Sequence, residues 1–305
     1  MNIFITGSTG FLGGEILVNL SKRKEINKIY CLVRAQSEVD AILRLDKVFS
    51  LHGDNYDREK VFPVIGNLMD ADLTAQLIAN DELKDINVIV HSAANTSFSG
   101  IFDKMVEQTN IEGLRKIVLW AKQLSNFNTF LHIGTATICG KEVKDRLVKE
   151  GESPNPNASH VVSYTQSKAQ GELIIREHLP ESKILIARPS IIMGDSRDIT
   201  PRSPVILWAC ATMNQIRLLP ANPKAKLDVI SVDYAAEAVV KLLFSKKRKH
   251  HVYHISSGPE AATSAQELSV VFEEHFSDLP KYCFVKNDML KQMKLLAKNK
   301  LPIGS

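Results

Sequence analysis

The chain has 305 residues, of which 44% are hydrophobic and 24% are charged, and its formal net charge is +4. This balance excludes an intrinsically disordered chain, which combines low hydrophobicity with high net charge. The four cysteines are scattered without a CxxC pair, which excludes a disulfide scaffold and indicates the reduced thiols of a cytoplasmic protein. No apolar run reaches the ~18 residues of a membrane span. The strand-like N-terminus predicts that no targeting peptide precedes the fold.

The N-terminal segment predicts a nucleotide-binding turn. A short apolar strand, Asn2–Thr6, runs into GSTGFLG at 7–13, and a helical pattern follows. The GxxGxxG spacing differs from the GxGxxG dinucleotide fingerprint, but both allow a tight turn, close approach of a pyrophosphate and close packing of helix on strand. The helix N-terminus then offers free N–H groups to an anion. The alternative is a tight strand-to-helix turn without a ligand.

The end of the second predicted strand, Lys28–Val33, indicates which dinucleotide is bound. Sites that prefer NAD usually carry Asp or Glu about 20 residues after the glycines, where it holds the ribose 2′-hydroxyl. This chain has Arg34 there and Arg44 on the following helix, and a guanidinium pairs with a 2′-phosphate. The sequence therefore predicts NADP(H). The alternatives are a preference for NAD and a solvated Arg34 without a ligand.

Strand and helix patterns alternate along the first 190 residues. Strands are predicted at 2–6, 28–33, 61–65, 87–91, 129–134 and 184–188, and later helices at about 38–51, 71–79, 103–124 and 163–178. This rhythm is typical of an α/β protein with a Rossmann-type, doubly wound parallel sheet. Such sheets bind ligands beyond the carboxyl ends of their strands. Those ends carry Gly7, Arg34, Asn67, Ala93, Thr135 and Pro189.

The pattern changes after residue 190. A proline-containing loop and helix are followed by a predicted helix at about 232–244, the basic run Lys246–His251 and a short strand at about 252–256. We predict an NADP(H)-binding Rossmann domain with the catalytic residues at 1–190 and a smaller C-terminal substrate-binding lobe at 191–305. The basic run lacks the aromatic residues that stack on bases, so we predict a solvated loop and no nucleic-acid partner.

Tyr164 and Lys168 are four residues apart on a predicted helix and therefore share one face. A lysine ammonium next to a phenol is expected to lower the phenol pKa from about 10 toward neutrality, which suits a proton donor to a developing alkoxide. Thr135, at the end of the fifth strand, offers a hydroxyl to a substrate carbonyl. The alternative is a surface Tyr/Lys pair. His91 and His132 lie in buried strands and are expected to pack rather than to catalyse.

These motifs together resemble the extended short-chain dehydrogenase/reductase family. The match rests on TGSTGFLG (6–13), HSAA (91–94), YTQSK (164–168) and RPS (188–190). Other segments are similar to the thioester-reductase-like branch, which includes the reductase domains of nonribosomal peptide synthetases, carboxylic acid reductases and fatty acyl-CoA reductases. These segments are LVRA (32–35), GNL (66–68), NIEG (110–113), RPSIIMGDS (188–196) and DVISVDYAAEAVV (228–240). The resemblance covers about residues 1–260.

The resemblance implies a role for each matching residue. A catalytic triad is implied for Thr135, Tyr164 and Lys168, of which the last two also meet the cofactor. The pyrophosphate is expected on Gly7, Ser8, Thr9, Gly10, Phe11, Leu12 and Gly13. Further cofactor contacts are expected from Arg34, Arg44, Asn67, Leu68, Ala93, Ala94, Asn110, Pro189 and Ser190. The chain has Gly134-Thr135 where relatives often have Ser-Thr, so Thr137 is an alternative source of the hydroxyl.

The activity implied by the resemblance is NADPH-dependent reduction of an acyl thioester to an aldehyde or, with a second hydride, to an alcohol. The thioester would be carried by coenzyme A or by an acyl or peptidyl carrier protein. Because no adenylation or carrier domain precedes Met1, we expect a reductase that stands alone or works in trans. The alternatives are an NADP(H)-dependent carbonyl reductase, a nucleotide-sugar epimerase or dehydratase, and a non-catalytic nucleotide sensor.

Two features of the C-terminal part have open interpretations. An apolar stripe is either an acyl channel or plain core, and it consists of Ile206, Leu207, Trp208, Met213 and Ile216. Lysines scattered near 281–300 either meet an acidic carrier protein or coenzyme A, or form a solvated helix face. No His, Cys and acidic residues have metal-ligand spacing, so no metal site is predicted.

Overall fold

The computed structural model describes residues 1–143, 146–197, 210–211 and 213–286. Its centre is a seven-stranded sheet in which every neighbouring pair is parallel. The strands are β1 (Asn2–Thr6), β2 (Lys28–Val33), β3 (Val61–Ile65), β4 (Val88–His91), β5 (Thr129–Ile133), β6 (Ile184–Pro189) and β7 (Val252–Ile255). The central strands are almost entirely apolar and buried, because a parallel sheet is covered on both faces.

The order of the strands across the sheet is β7-β6-β5-β4-β1-β2-β3. The chain reverses direction across the sheet between β1 and β4, which creates the crevice where doubly wound sheets bind ligands. All seven strands begin and end at or next to the residues predicted from the sequence. The Rossmann-type sheet predicted from the alternating pattern is therefore confirmed.

Helices cover both faces of the sheet. They are α1 (Phe11–Ser21), α2 (Glu38–Ser50), α3 (Leu73–Ala79), α4 (Asp103–Glu107), α5 (Gly113–Ala121), α6 (Ser163–His178), α7 (Val232–Phe244) and α8 (Ala265–His275). A π-helical segment, Gln108–Glu112, joins α4 to α5 where the sequence predicts one continuous helix. Short 3₁₀ turns lie at Asp81–Leu83, Gly100–Phe102 and Glu181–Lys183.

Among the described residues, three pairs of two-residue strands lie outside the central sheet. Ile191–Ile192 pairs in parallel with Val229–Ile230. The other two pairs are Lys226–Leu227 with Thr263–Ser264, and Leu218–Leu219 with Cys283–Phe284. These pairs connect segments that follow β6 to one another and thereby order the C-terminal part of the chain.

The core lies in two layers, one on each face of the sheet. On one face, apolar side chains of α1 and α7 belong to the same buried cluster, which includes Leu17 and Val239. On the other face, the Trp120 ring of α5 meets the Phe4 ring of β1 edge-on, with 4.7 Å between the ring centroids. Strand β7 and helix α7 therefore complete the sheet and its cover, although both follow residue 190. The division into lobes at 1–190 and 191–305 stays a prediction.

Several further sequence predictions concern the surface and the thiols. All four cysteines are free, and the basic run Lys246–His251 is exposed, as expected for a solvated loop. In the part of the chain that the structure describes, no helix is long and apolar enough to cross a membrane. Of the apolar stripe, Met213 is half-buried and Ile216 is 56% exposed. The remaining stripe residues, Ile206, Leu207 and Trp208, and the lysines beyond 286 lie outside the described residues.

Candidate active site

The glycine-rich turn links β1 to α1 and is packed tightly against the end of β4. Gly7 has a φ of +76°, and a Cβ at this position would lie 2.6 Å from the Ala93 nitrogen. A Cβ at Gly13 would lie 2.0 Å from the Gly7 carbonyl oxygen. Gly7 is therefore required by its backbone conformation and by close packing, and Gly13 by close packing. A Cβ at Gly10 would meet only the Gly7 oxygen, at 3.2 Å, so this glycine leaves the outer side of the turn open.

A polar junction joins the ends of β1 and β4. The Thr6 hydroxyl lies 3.0 Å from Nδ1 of His91 and accepts a hydrogen bond of 3.2 Å from the Ala93 nitrogen. His91 and His132 are buried and stacked, with ring centroids 5.7 Å apart. Burial first and the Lys168 charge second lower the pKa of His91 to about 3, so the ring is neutral. Both histidines are buried and packed as expected, and their exclusion from catalysis stays a prediction.

A cleft of about 450 Å³ lies beyond the carboxyl ends of β2 and β3. Its lining comprises Arg34, Ala35, Gln36, Asp40, Arg44, Ile65, Gly66, Asn67 and Asp70. Arg44 Nη1 donates to the Arg34 carbonyl oxygen. The two carboxylates of the cleft accept hydrogen bonds from the backbone nitrogens of Gln36 and Asn67. The structure thus brings together both predicted arginines and Asn67.

Other predicted cofactor residues have different surroundings. Leu68 is 5% exposed and packs against Gly113, where a Cβ would lie 2.7 Å from the Leu68 Cβ, so its side chain belongs to the core rather than to the lining of the cleft. In the glycine turn, Ser8 is buried, whereas Thr9, Phe11 and Leu12 are half-buried. Ala93 and Ala94 are half-buried beside this turn, at the end of β4.

Asn110 lies in the π-helical segment and bridges two parts of the site. Its Oδ1 accepts from the Asn95 nitrogen at 2.7 Å, and its Nδ2 donates to the Asn95 oxygen at 3.0 Å and to the Ser167 hydroxyl at 2.9 Å. Ser167 in turn donates to the Tyr164 carbonyl oxygen at 2.8 Å. The loop after β4 is therefore connected to the helix that carries Tyr164 and Lys168.

Lys168 is buried, and its Nζ donates to the Ile133 carbonyl oxygen at 2.7 Å. This contact places the ammonium at the end of β5, two residues before Thr135. Burial lowers the pKa of Lys168 to about 8, although the nearby Glu172 carboxylate opposes the change. At pH 7 the ammonium is therefore largely protonated.

Tyr164 differs from the expectation based on Lys168. Burial raises the pKa of Tyr164 to about 12, so the predicted lowering toward neutrality is wrong for this structure. The cause is desolvation of the phenolate, which disfavours the charged form. At pH 7 Tyr164 is a neutral phenol with a proton to donate. Its ring lies 5.9 Å from the ring of Phe98, between centroids.

Two hydroxyls are close together at the end of β5. Thr135 is 7% exposed, and its Oγ1 lies 3.0 Å from the Thr137 Oγ1. The Thr137 nitrogen donates to the same Thr135 oxygen at 3.3 Å. Both candidates for the substrate hydrogen bond are thus present at one place, and the choice between them stays a prediction.

Several features of this crevice fit a dinucleotide. The turn at Gly10 is open on its outer side, and α1 begins there without a side-chain cap, which leaves N–H groups for a pyrophosphate. The Ser190 hydroxyl at the end of β6 is buried and has no hydrogen-bond partner among the described residues. Such an orphaned polar atom is expected where a ligand supplies the partner. No group of metal-ligating side chains is found among the described residues.

Two functional candidates have no counterpart among the predicted site residues. Glu172 and Arg188 form an ion pair with both side chains fully buried, and Arg188 Nη2 lies 2.6 Å from Glu172 Oε2. Glu172 is four residues after Lys168 on the same helix, and Arg188 immediately precedes Pro189. The sequence contains a signal for this pair. Glu172 lies one helical turn beyond Lys168, and Arg188 interrupts an otherwise apolar strand.

Comparisons with known proteins agree with this architecture. The family model described as Male sterility protein, an NAD-binding model, matches residues 5–239. The chain is 24% identical to the chloroplastic fatty acyl-CoA reductase 2 of Arabidopsis thaliana, over 90% of this chain and 57% of the relative. It is 26% identical to the fatty acyl-CoA reductase 1 of Mus musculus, over 84% of this chain and 58% of the relative. The chain therefore spans less than two thirds of the length of these relatives.

A solved structure shares the fold. The terminal R domain from the myxalamid PKS-NRPS biosynthetic pathway superimposes with a TM-score of 0.77 at 23% sequence identity, covering 98% of this chain and 76% of that domain. At this level of identity the superposition shows a common fold and no more.

Proposed function

Because the chain belongs to the Male sterility protein family of NAD-binding domains, we propose that it is an NADPH-dependent reductase of acyl thioesters, with an aldehyde as product. The observation that carries the proposal is the buried Lys168, whose Nζ is held at the end of β5 two residues before Thr135. A charged lysine in this position joins a neutral Tyr164 on one helix, which is the combination required to protonate a reduced carbonyl.

The cofactor preference in the proposal rests on the cleft beyond β2 and β3. Arg34 and Arg44 line it, and its two carboxylates are engaged by backbone nitrogens. The arginines are therefore suited to meet the 2′-phosphate of NADP(H). The pyrophosphate would lie on the glycine turn, with Ala93 and Ser190 toward the nicotinamide. When bound, the nicotinamide supplies a hydride to the carbonyl carbon.

The chain's own groups act on the carbonyl oxygen. Thr135 and Tyr164 donate hydrogen bonds to it, which stabilise the negative charge that develops as the carbon is reduced. Tyr164 then gives up its proton, and Lys168 stabilises the resulting phenolate. Departure of the thiol from the resulting thiohemiacetal leaves the aldehyde. In total, one hydride and one proton convert the thioester into an aldehyde and a thiol.

The surroundings of Tyr164 favour an apolar acyl group. Phe98 lies beside Tyr164 and is 54% exposed, and Ile101 is 88% exposed on the turn that follows. Apolar side chains that are exposed next to a reactive group are suited to bind an apolar substrate. Fatty acyl-CoA reductases are among the relatives of the chain, and coenzyme A and a carrier protein present the same thioester linkage.

Substitution Tyr164→Phe tests the proposal. Loss of the phenolic proton is expected to lower kcat at least ~100-fold, while the Kd of NADPH changes less than about twofold because the phenyl ring is retained. Turnover is measured by loss of NADPH absorbance with acyl-CoAs, carrier-bound acyl groups and aldehydes, and by product analysis with nucleotide sugars, whose epimerisation or dehydration consumes no net NADPH. Tyr234→Phe, at a residue that is 48% exposed, is the matched control and should retain full turnover.

Three outcomes would contradict the proposal. If Tyr164→Phe turns over at the wild-type rate, Tyr164 is not the proton donor. NADPH oxidation with aldehydes alone, without any thioester, would favour the carbonyl reductase alternative, and conversion of nucleotide sugars would favour an epimerase or dehydratase.

A further inference from the structure

The ion pair between Glu172 and Arg188 joins α6 to β6. Arg188 Nε donates to Glu172 Oε1 at 2.8 Å, and Arg188 Nη2 donates to Oε2 at 2.6 Å. This two-point contact fixes both planar groups relative to each other. Because both side chains are fully buried, each depends on the other for its partner, and removing one would leave the other buried and unpaired.

The remaining donors of Arg188 tie the pair to a distant loop. Nη1 donates to the Glu150 carbonyl oxygen at 3.3 Å, and Nη2 donates to the Glu152 carbonyl oxygen at 3.0 Å. The Glu150 carboxylate accepts from the His254 nitrogen of β7 at 2.7 Å. The guanidinium is thus held by α6 and by the loop that precedes it, which fixes the position of the Glu172 carboxylate.

The pair also explains the glycine before Thr135. A Cβ at Gly134 would lie 2.9 Å from Glu172 Oε1 and 3.4 Å from Arg188 Cγ. The carboxylate therefore occupies the space that a serine side chain would need. The lack of a side chain at Gly134 fits this packing, which places Glu172 against the strand end that carries Thr135.

Among the described residues, His91, His132 and Glu172 interact electrostatically with Lys168, and Tyr164 lies one turn before it on α6. His91 and His132 face it from β4 and β5, and both are neutral because burial lowers their pKa far below the usual value. Glu172, one turn away on α6, is the carboxylate that opposes the lowering of the Lys168 pKa. Arg188 lies beyond Glu172 from β6, with His254, Glu150 and Glu152 behind it.

We infer that Glu172 is a positioning residue whose buried charge, locked by Arg188, keeps Lys168 a cation in the catalytic site. The residue acts through Lys168 and does not touch the substrate. The inference deepens the proposed function and rests on it, because it assigns a task to Lys168.

The test compares pH profiles of kcat/KM. A wild-type profile is expected to lose activity as the pH rises through about 8, where Lys168 loses its proton. Removing the Glu172 charge makes this proton easier to lose, so the alkaline limb moves to lower pH. A displacement of ~1 pH unit corresponds to about a tenfold loss of kcat/KM at a fixed alkaline pH. Lys168→Met should remove this limb and identifies the titrating group.

Glu172→Gln alone leaves Arg188 buried without a counter-charge, which destabilises the fold. The double variant Glu172→Gln, Arg188→Met replaces both charges by groups of similar size and is therefore the variant to assay. It should fold and show the displaced limb. Glu172→Asp retains the charge and should restore the wild-type limb. Glu177→Gln, at an exposed carboxylate on the same helix, should leave the profile unchanged.

If the double variant folds but its pH profile keeps the alkaline limb of the wild type, the inference is wrong. The role of the ion pair is then purely structural. The pH dependence of NADPH binding, followed by the fluorescence of the bound cofactor, is a second readout that needs no turnover. If the wild type reduces no thioester, the proposed function fails, and this binding profile still decides the role of Glu172.

Discussion

Arg34 is the residue on which the cofactor preference rests. Arg34→Ala removes a charge-assisted contact worth about 1.5–3 kcal/mol, so the KM for NADPH is expected to rise about 10–100-fold. The KM for NADH, which has no 2′-phosphate, should change less than about twofold. Steady-state kinetics with both cofactors measure this split, and Arg58→Ala, at an exposed arginine, is the control. Equal changes for both cofactors would remove the 2′-phosphate role.

Single residues of the site also differ in how far their properties could be predicted from the sequence. The glycine turn and the arginine pair were predictable, because their meaning depends on spacing from a strand end. The protonation of Tyr164 was not, because helical spacing shows that Lys168 shares its helix face but does not show that the Tyr164 hydroxyl is desolvated. The partnership of Glu172 with Arg188 joins a helix to a strand, and no local pattern connects them.

The π-helical segment is the element whose geometry matters most to the site. Asn110→Ala removes three hydrogen bonds to Asn95 and Ser167 and leaves partly buried backbone groups of Asn95 unpaired. The free energy of unfolding should fall by about 1–3 kcal/mol, and kcat should fall because the Tyr164 helix loses its tie to the loop after β4. Urea denaturation and turnover measure the two effects. Gln108→Ala, at an exposed residue of the same segment, should change neither.

The strands were predicted more accurately from the sequence than the helices. Strand bounds followed from short apolar runs that end at glycine, proline, serine or a charge. The segment from 103 to 124 was predicted as one helix, since its apolar spacing continues through the π-helical turn. The extra residue in that turn aligns Asn110 with two partners that are distant in sequence, and helical periodicity does not encode such a requirement.

The whole molecule should become less stable in mild acid. The pKa of His91 is lowered from 6.5 to about 3 in the folded protein, so between these values the unfolded chain binds a proton that the folded chain does not. The neutral His91 ring makes its full contribution to the free energy of unfolding above pH 6.5. This contribution is lost as the pH falls toward 3. At pH 5 this amounts to about 2 kcal/mol.

Substitution His91→Gln tests this contribution. The variant should lose about 2 kcal/mol less than the wild type between pH 7 and pH 5, because glutamine does not titrate. Chemical denaturation at the two pH values measures the difference, and His250→Gln, at an exposed histidine, serves as the reference. An identical loss in wild type and His91→Gln would show that the ring is protonated in the folded state.

The sheet is completed by residues that are synthesised late. Strand β7 pairs with β6, and α7 covers α1 directly behind the glycine turn. On the ribosome, the chain must therefore emerge through Ile255 before its last strand is in place. Until then the nascent protein exposes an unpaired edge at β6 and the apolar side of α1, which are the surfaces most prone to aggregate. Chaperone binding during translation is consequently expected to persist until α7 and β7 have left the exit tunnel.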